Sequence, residues 1–526
     1  MTPPRPRRTW LDLLALLASS AAYALCFPPT SVHALAWIAL VPFLAVIHDV
    51  GPGRALAYGL FWGMASSTGI TDWLPPAIAL YYEQPLWLGI GIFLAASASM
   101  VAVHFAVFAL VSSIAARRFP AAWPLLTGAA WVVAELARAR LLTGNPWGFL
   151  GCSQVVLQPG GLSGHDEIAL RVMQVADLGG VYAPGFLICL GNAVLVLVWR
   201  RFRRGSFDAG VRVAAGSAVA VLLAALAYGD VRIRSLDGQA QSSTPIAIVQ
   251  GNLDLGYRWN RSHYGKNLDA YLELTRKIID ESGPRLVFWP ENAMTFFVDR
   301  RSDFRWTIAE VTEPAGVELV AGGPRHEDVD GITRYYNSAF VLSPDGEVLG
   351  TYDKEHLLPF AEYFPFGSLE LLRRNFGGVA EITSGTRTGP LDTVAGPAAV
   401  AICNEIMFPR IVRERVRAGA GYILNLANDG WMRSTEFAEH QLALAVARAI
   451  EHRRYLVRAS TSGPSAIVDP VGRVLTRTAP YEVGSLAGAI SARSDETFYS
   501  RRGDVFALAC LAVVLAVLIA GIRSRR

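Results

Sequence analysis

Charged side chains are scarce in this sequence. Asp, Glu, Lys and Arg make up 17% of its 526 residues, whereas 52% of the residues are hydrophobic and the mean hydropathy is +0.32. A chain this apolar is unlike an ordinary soluble enzyme. The net charge of +4 comes mainly from arginines beside apolar segments, which argues against a nucleic-acid-binding surface.

Cysteine is also rare, with five residues in the chain and only Cys403 between positions 238 and 503. The segment 238–503 therefore cannot form an internal disulfide. It also lacks a glycine-rich phosphate loop and the Cys/His spacing of a metal site, so the sequence predicts no metal centre there. A single cysteine leaves two interpretations open, a small buried hydrophobe or a reactive thiol.

Long apolar runs occupy the rest of the chain, and each is close to the ~20 residues that cross a bilayer core. We predict eight membrane spans, near 11–27, 31–48, 55–74, 86–114, 121–138, 180–199, 211–229 and 504–522. The sequence thus divides into a helical membrane domain of seven spans at 1–237, a globular domain at 238–503, and an eighth span with a short tail at 504–526.

The positions of arginine predict the orientation of the spans, because positively charged loops remain on the cytoplasmic side. Arginines precede the first span, separate the fourth from the fifth and the sixth from the seventh, and follow the eighth. The opposite loops "FPPTSVHA" and "WLPPAIALYYEQP" carry no Lys or Arg, although Arg138 and Arg140 are exceptions at the end of the fifth span. We therefore expect both termini in the cytoplasm and residues 238–503 outside it.

Short β-strand patterns alternate with amphipathic helices between 238 and 503. Several strands, such as "PIAIVQGN" at 245–252 and "PAAVAICNE" at 397–405, are continuously apolar, as in a sheet that is covered on both faces. The pattern predicts an α/β domain of stacked helix and sheet layers. Glu291, Lys354 and Cys403 each follow a predicted strand or hairpin, where the catalytic groups of such folds collect.

These three side chains could together perform acyl transfer. A thiol becomes a nucleophile when a base removes its proton, and Glu291 could be that base if burial raises its pKa. Lys354 could then stabilise the negative charge that develops on the acyl oxygen. Each residue alone more often has no catalytic role, since a glutamate at a strand end or a lysine after a hairpin is commonly exposed to solvent.

Four motifs strengthen the combination: "WPEN", "YDKEHLLPFAEYFPF", "ICNEI" and "NLANDGWM". They resemble the carbon–nitrogen hydrolase (nitrilase) superfamily, whose Glu–Lys–Cys triad lies on an α/β/β/α sandwich. Together with the predicted spans, "GNPWGFLGCSQ" at 144–154 and the segment 440–474, they resemble the bacterial apolipoprotein N-acyltransferase family over nearly the whole chain.

The resemblance implies roles for the residues that match. Cys403 would be the nucleophile, Glu291 the general base and Lys354 the oxyanion stabiliser. Glu362 and Glu405 match supporting carboxylates, of which Glu362 would orient Lys354 and the thiol.

The resemblance also implies residues that contact substrate. Trp431 and Trp259 match aromatic residues that handle it. Trp147 could line an acyl pocket or belong to an aromatic belt at the membrane interface. Asn404 stands where many members have an aromatic residue, and Ala361 replaces a frequent glycine, so both could alter the fit of the substrate.

The reaction that the resemblance implies has two steps and needs no cofactor. Cys403 would attack an ester of a phospholipid such as phosphatidylethanolamine, forming a thioester and releasing a lysophospholipid. The α-amino group of a diacylglyceryl-cysteine at an apolipoprotein N-terminus would then take the acyl chain. Because hydrocarbon chains are costly to move into water, we expect the catalytic domain on the periplasmic face of the bacterial cytoplasmic (inner) membrane.

Two other functions fit parts of the sequence. A membrane-anchored amidase of the nitrilase type, which hydrolyses a C–N bond, would use the same three residues but needs only one anchor. A transporter with an outer ligand-binding domain would show paired charges within its spans and internal repeats. Asp72 and Glu135 are too few to suggest such pairs, and the helical half shows no repeat.

Overall fold

The first part of the chain is helical. A computed structural model describes residues 9–159, 164–203, 209–237, 243–253, 267–364, 381–386 and 389–523. A π-helical turn at Ala98–Ala102 joins the sixth helix to the seventh. The helices of this part are α1 Thr9–Ala24, α2 Ala36–Ala39, α3 Val41–Asp49, α4 Pro52–Ile70, α5 Leu74–Tyr81, α6 Leu86–Ser97, α7 Val103–Arg118, α8 Trp123–Arg140, α9 Gly164–Met173, α10 Ala176–Gly179, α11 Tyr182–Arg203 and α12 Ala209–Asp237.

Helices lie at each of the eight predicted spans, but the count of eight is not confirmed. Within the described residues, three helices are long and apolar enough to cross a membrane: Leu86–Arg118, Tyr182–Arg203 and Ala209–Leu236. Shorter apolar helices lie at Thr9–Ala24, His33–Asp49 and Val505–Ala520. The eight-span arrangement and its orientation therefore remain predictions.

The second part of the chain alternates strands and helices, and a last apolar helix follows it. Its elements are β1 Thr244–Gln250, α13 Leu268–Ser282, β2 Leu286–Phe288, α14 Ser302–Thr312, β3 Glu318–Val329, β4 Ile332–Leu342, β5 Val348–Asp353, β6 Ala398–Ile402, α15 Pro409–Arg417, β7 Tyr422–Ala427, α16 Thr435–His452, β8 Leu456–Ser460, β9 Ala466–Val468, β10 Val474–Arg477, β11 Gly484–Ile490, α17 Phe498–Arg502 and α18 Val505–Arg523.

The strands form two sheets, with the orders β11-β1-β2-β3-β4-β5 and β10-β9-β8-β7-β6. Strands β1, β2 and β3 are parallel in the first sheet, and β6, β7 and β8 are parallel in the second. The remaining pairs are antiparallel. Parallel strands end at the same edge of a sheet, so β2 and β6 each deliver the residues that follow them to such an edge.

Three apolar layers hold the domain together. One cluster fills the space between the sheets, with Val320 from the first and Val400 from the second. Another packs α13 and α14 on the outer face of the first sheet. A third joins the second sheet and α16 to the helical region. The domain is thus the α/β/β/α sandwich that the family resemblance implied, with its second helical layer continuous with the helical region.

Candidate active site

Cys403 follows β6 directly and is the first residue of a 3-10 turn, Cys403–Met407. Its φ of +53° lies in the left-handed region, which residues other than glycine rarely adopt. Such a conformation persists only where the surroundings hold it. Asn425 on β7 contributes by donating from Nδ2 to the carbonyl oxygens of Ala401 at 2.8 Å and Cys403 at 3.4 Å. The turn therefore fixes the thiol at the end of β6, the edge strand of the second sheet.

Glu291 lies three residues beyond β2 and is 4% exposed. Its Oε1 accepts a hydrogen bond from Asn337 Nδ2 at 2.7 Å, whereas its buried Oε2 accepts none from the described N–H and O–H groups. Burial raises the pKa of Glu291 to about 7, against the opposing effects of Lys354, Asn337 and Cys403. A carboxyl group with this pKa is suited to accept and return a proton near neutral pH.

Lys354 follows β5 and is 2% exposed. Its Nζ lies 2.8 Å from Oε2 of Glu362 and 3.9 Å from Oε1 of Glu291. Burial alone would lower the pKa of Lys354, but the acidic groups around it, Glu362 first and then Cys403 and Glu291, outweigh burial and raise the pKa. Lys354 therefore keeps its positive charge inside the protein.

The Cys403 thiol is protonated at rest. Burial raises its pKa well above the ordinary value and Glu291 adds to that rise, while Lys354 opposes it. The mutual effects on pKa place Cys403, Glu291 and Lys354 within one electrostatic cluster. The structure thus brings together the three residues that the sequence singled out, with a buried carboxyl group beside a neutral thiol.

Asn337 is a member of this cluster that sequence analysis missed. Its Nδ2 donates to Oε1 of Glu291 at 2.7 Å and to Oε1 of Glu362 at 2.9 Å. One amide group therefore holds two carboxylates at fixed positions beside Lys354. Asn337 lies within the strand pattern of β4, and nothing in its immediate sequence marks it as different from a structural asparagine.

Glu405 is fully buried, and its hydrogen bonds go to the segments on either side of the cluster. It accepts hydrogen bonds from the Tyr352 hydroxyl at 2.9 Å and from the backbone N–H groups of Ile402 at 2.7 Å, Glu355 at 2.8 Å and His356 at 3.0 Å. Glu405 thus ties the segment that carries Lys354 to the turn that carries Cys403.

An apolar cavity of about 440 Å³ begins at Cys403 and Asn404. It extends between α4, α5, α6 and the π-helical turn of the helical region. Trp431 and Trp147 line it, so two of the three predicted tryptophans lie at the cavity, as does Asn404. Trp259 lies outside the described residues.

The aromatic residues of the cavity connect the two parts of the chain. The ring centroid of Trp431 lies 5.6 Å from that of Tyr81 on α5. The ring of Trp147 lies 5.4 Å from Phe437, at the start of α16. The walls of the cavity are therefore shared between the α/β domain and the helical region.

Two solved structures resemble part of the chain at low similarity. The C. elegans NitFhit protein is 20% identical, with a TM-score of 0.37 over 48% of this chain and 62% of that one. An amidase of the nitrilase superfamily from Nesterenkonia AN1 is 19% identical, with a TM-score of 0.38 over 52% of this chain and 98% of that one.

Family and sequence comparisons cover both parts of the chain. Residues 245–497 match the carbon-nitrogen hydrolase family, and residues 19–194 match the apolipoprotein N-acyltransferase N-terminal domain. Apolipoprotein N-acyltransferases from two bacteria align over nearly the full length. That of Geobacter metallireducens is 32% identical over 99% of this chain and 96% of the relative. That of Bradyrhizobium diazoefficiens is 30% identical over 97% of this chain and 95% of the relative. These matches do not favour a membrane-anchored amidase, and they show that the chain belongs to the apolipoprotein N-acyltransferase family.

Proposed function

We propose that this protein transfers an acyl chain from a phospholipid to the N-terminal diacylglyceryl-cysteine of apolipoproteins, the last step of lipoprotein maturation. One observation carries the proposal: the apolar cavity that begins at Cys403 is walled by helices of the membrane region. A small soluble amide would not need such a cavity, whereas an acyl chain would gain about 0.8 kcal/mol for each CH₂ kept out of water.

The first step forms a thioester. Glu291 takes the thiol proton as Cys403 Sγ attacks the ester carbonyl of the phospholipid. The negative charge that develops on the carbonyl oxygen is stabilised by the Lys354 ammonium. The tetrahedral intermediate then breaks its C–O bond, and the departing lysophospholipid oxygen receives the proton from Glu291.

The second step forms the amide. The neutral α-amino group of the diacylglyceryl-cysteine attacks the thioester carbonyl, and Glu291 accepts a proton from the amine. The C–S bond breaks, the proton passes to the Cys403 sulfur, and the protein returns to its starting state. No cofactor takes part, because the ester is converted into a more stable amide through a thioester, which reacts with amines more readily than the ester does.

The carboxylates around the triad serve as positioning residues. Glu362, 2.8 Å from the Lys354 ammonium, holds it beside Glu291, and Asn337 fixes both carboxylates. Glu405 joins the two backbone segments that carry Lys354 and Cys403. Trp431, Trp147 and Asn404 contact the acyl chain.

The donor that we propose is phosphatidylethanolamine, and the location is the bacterial inner membrane. The α/β domain at 238–503 would face the periplasm, with seven spans before it, one after it and both termini in the cytoplasm. The apolar helices and the arginine-rich loops of the chain support this arrangement.

A two-stage mass measurement tests the proposed function. Purified full-length protein in detergent is incubated with phosphatidylethanolamine, and we expect one acyl mass on the peptide that contains Cys403. Cys403→Ala should gain none, whereas Cys510→Ala, which alters a cysteine in α18, should behave like the unsubstituted protein. Addition of a diacylglyceryl peptide should then give a triacylated product. A thioester that only water discharges would contradict the proposal.

A further inference from the structure

The catalytic cavity continues from Cys403 into the helical region along two antiparallel helices. Thr71 and Ser67 line it near the end of α4, and Ile92 and Ser97 line it on α6, followed by Met100 in the π-helical turn. An α-helix rises 1.5 Å per residue, so Met100 lies about 12 Å further along its helix than Ile92. The cavity therefore has depth, and its far end lies between α4 and the turn after α6.

Two features close that far end. Ser67 Oγ and Ser97 Oγ are buried and lie 2.9 Å apart, so their hydrogen bond links α4 to α6. One helical turn deeper, Gly63 brings α4 against the π-helical turn, and a Cβ atom added there would lie only 2.6 Å from Cα of Ala102. Because the two backbones touch at that point, no space remains for a chain to pass between them.

The size of the cavity fits one acyl chain. An engineered cavity of about 150 Å³ in another protein accommodates benzene, a ring of six carbons. At the same volume per carbon, the cavity at Cys403, which is about three times larger, has room for roughly 18 carbons. Its volume of about 440 Å³ is therefore that of a single long chain, and the second chain of a phospholipid would lie elsewhere.

We propose that Ser67, Ser97 and Met100 form the closed floor of an acyl-chain pocket and thereby set the length of the chain that Cys403 accepts. The proposal rests on the proposed function, since it concerns the donor of the same reaction. A chain whose terminal methyl group reaches the floor gains the most contact. A longer chain must leave methylenes outside the pocket, where they add no contact with it, so we expect chains beyond the best-fitting length to be disfavoured.

Two substitutions change the depth of the pocket in opposite directions. Met100→Ala removes a partly buried side chain from the floor and deepens the pocket. Ala96→Leu, one residue before Ser97, adds a side chain to the lining and makes the pocket shallower. The matched control is Ala95→Leu, since Ala95 is an exposed residue of the same helix that does not line the cavity.

The experiment offers purified full-length protein an equimolar mixture of phosphatidylethanolamines whose saturated chains differ in length, and measures the acyl masses on the Cys403 peptide. We expect Met100→Ala to favour longer chains and Ala96→Leu to favour shorter ones than the unsubstituted protein, and Ala95→Leu to leave the distribution unchanged. Melting curves identify any variant that fails to fold. If Ala96→Leu does not fold, the chain lengths accepted by Met100→Ala alone decide the test.

The outcomes separate this inference from the proposed function. If every folded variant carries the same distribution of chain lengths, the floor does not select the chain and the inference is wrong, although thioester formation stands. If the unsubstituted protein forms no thioester with any donor, the proposed function fails and the inference fails with it.

Discussion

The Glu405 carboxylate accepts a hydrogen bond from the backbone N–H of Ile402 at 2.7 Å, one residue before Cys403. Its other oxygen accepts from the backbone N–H of Glu355 at 2.8 Å, one residue after Lys354. The distance between thiol and ammonium therefore depends on a carboxylate that contacts neither of them directly. We therefore expect Glu405 to act as a positioning residue, so that its loss disturbs both geometry and stability.

Glu405→Gln tests this role. The substituted amide keeps one acceptor oxygen but replaces the other by an NH₂ group, which faces the N–H and O–H donors that Glu405 satisfies. Leaving buried donors unpaired costs roughly 1–3 kcal/mol each, so we expect a clear fall in melting temperature together with slower thioester formation. Glu414→Gln is the control, because Glu414 makes only a partly exposed pair with Arg410 at 2.9 Å. Equal melting temperatures for the two variants would contradict the role of Glu405.

The pH dependence of thioester formation should report Glu291. This carboxyl group acts as a base only when it has lost its proton, and burial raises its pKa to about 7. At about pH 6 only roughly a tenth of the molecules would carry the carboxylate, so the rate should rise with pH and level off above about pH 8. Glu291→Gln should lower the rate about 10²–10⁴-fold and remove this rise. The test is the initial rate of acyl mass gain on Cys403 across the pH range.

The same shift has a consequence for stability that does not depend on activity. The folded protein binds the proton of Glu291 more tightly than the unfolded chain, whose carboxyl has a pKa near 4.5. This contribution to stability is fully present below about pH 4.5 and is lost as the pH rises through about 7. Melting curves of Glu291→Gln should lack that loss. If the melting temperatures of the substituted and unsubstituted proteins change with pH by the same amount, the raised pKa of Glu291 is contradicted.

The neighbours of Glu291 should move the pH profile in opposite directions. The positive charge of Lys354 lowers the pKa of Glu291, whereas the negative charge of Glu362 raises it. We therefore expect Lys354→Met to shift the midpoint of the rate profile to higher pH and Glu362→Gln to shift it to lower pH, each by about 1 pH unit. Lys354→Met should also reduce the maximal rate about 10²–10³-fold, because the oxyanion loses its counter-charge. Midpoints that move in the same direction would show that the two charges do not act on Glu291.

Sequence patterns predicted the layered α/β domain and the strand ends that carry Glu291, Lys354 and Cys403, because both follow from local apolar periodicity and turn residues. The pairing of β11 with β1 was missed. Its sequence "GSLAGAI" is rich in small residues, and only pairing with a strand more than 200 positions earlier makes it a strand.

The polar contacts of the site were harder to predict than its main residues. Asn337 and Glu405 act through partners 46 and 53 positions away, on other strands and turns. No local pattern encodes contacts between residues so far apart in the sequence. The family resemblance marked Glu405, but it did not indicate that the Glu405 carboxylate accepts hydrogen bonds from backbone N–H groups. The positive φ of Cys403 is likewise a product of the folded surroundings, since nothing in "ICNEI" requires it.

Trp431 should affect binding of the phospholipid more than the reactivity of the thiol. Its ring lines the cavity beside Tyr81 and has no hydrogen bond or ion pair with Glu291 or Lys354 among the contacts of the described residues. Trp431→Ala should raise the KM for phosphatidylethanolamine about tenfold, the effect of losing much of the apolar contact of a large side chain.

The control for this prediction is Trp306→Ala, since Trp306 is 66% exposed on α14 and lies outside the cavity. We expect its KM to be unchanged. A small alkylating reagent should modify Cys403 at the same rate in both variants and in the unsubstituted protein, because neither tryptophan touches the base or the ammonium. If Trp431→Ala instead slows alkylation as much as it slows thioester formation, the ring supports the geometry of the triad and not the binding of the acyl chain.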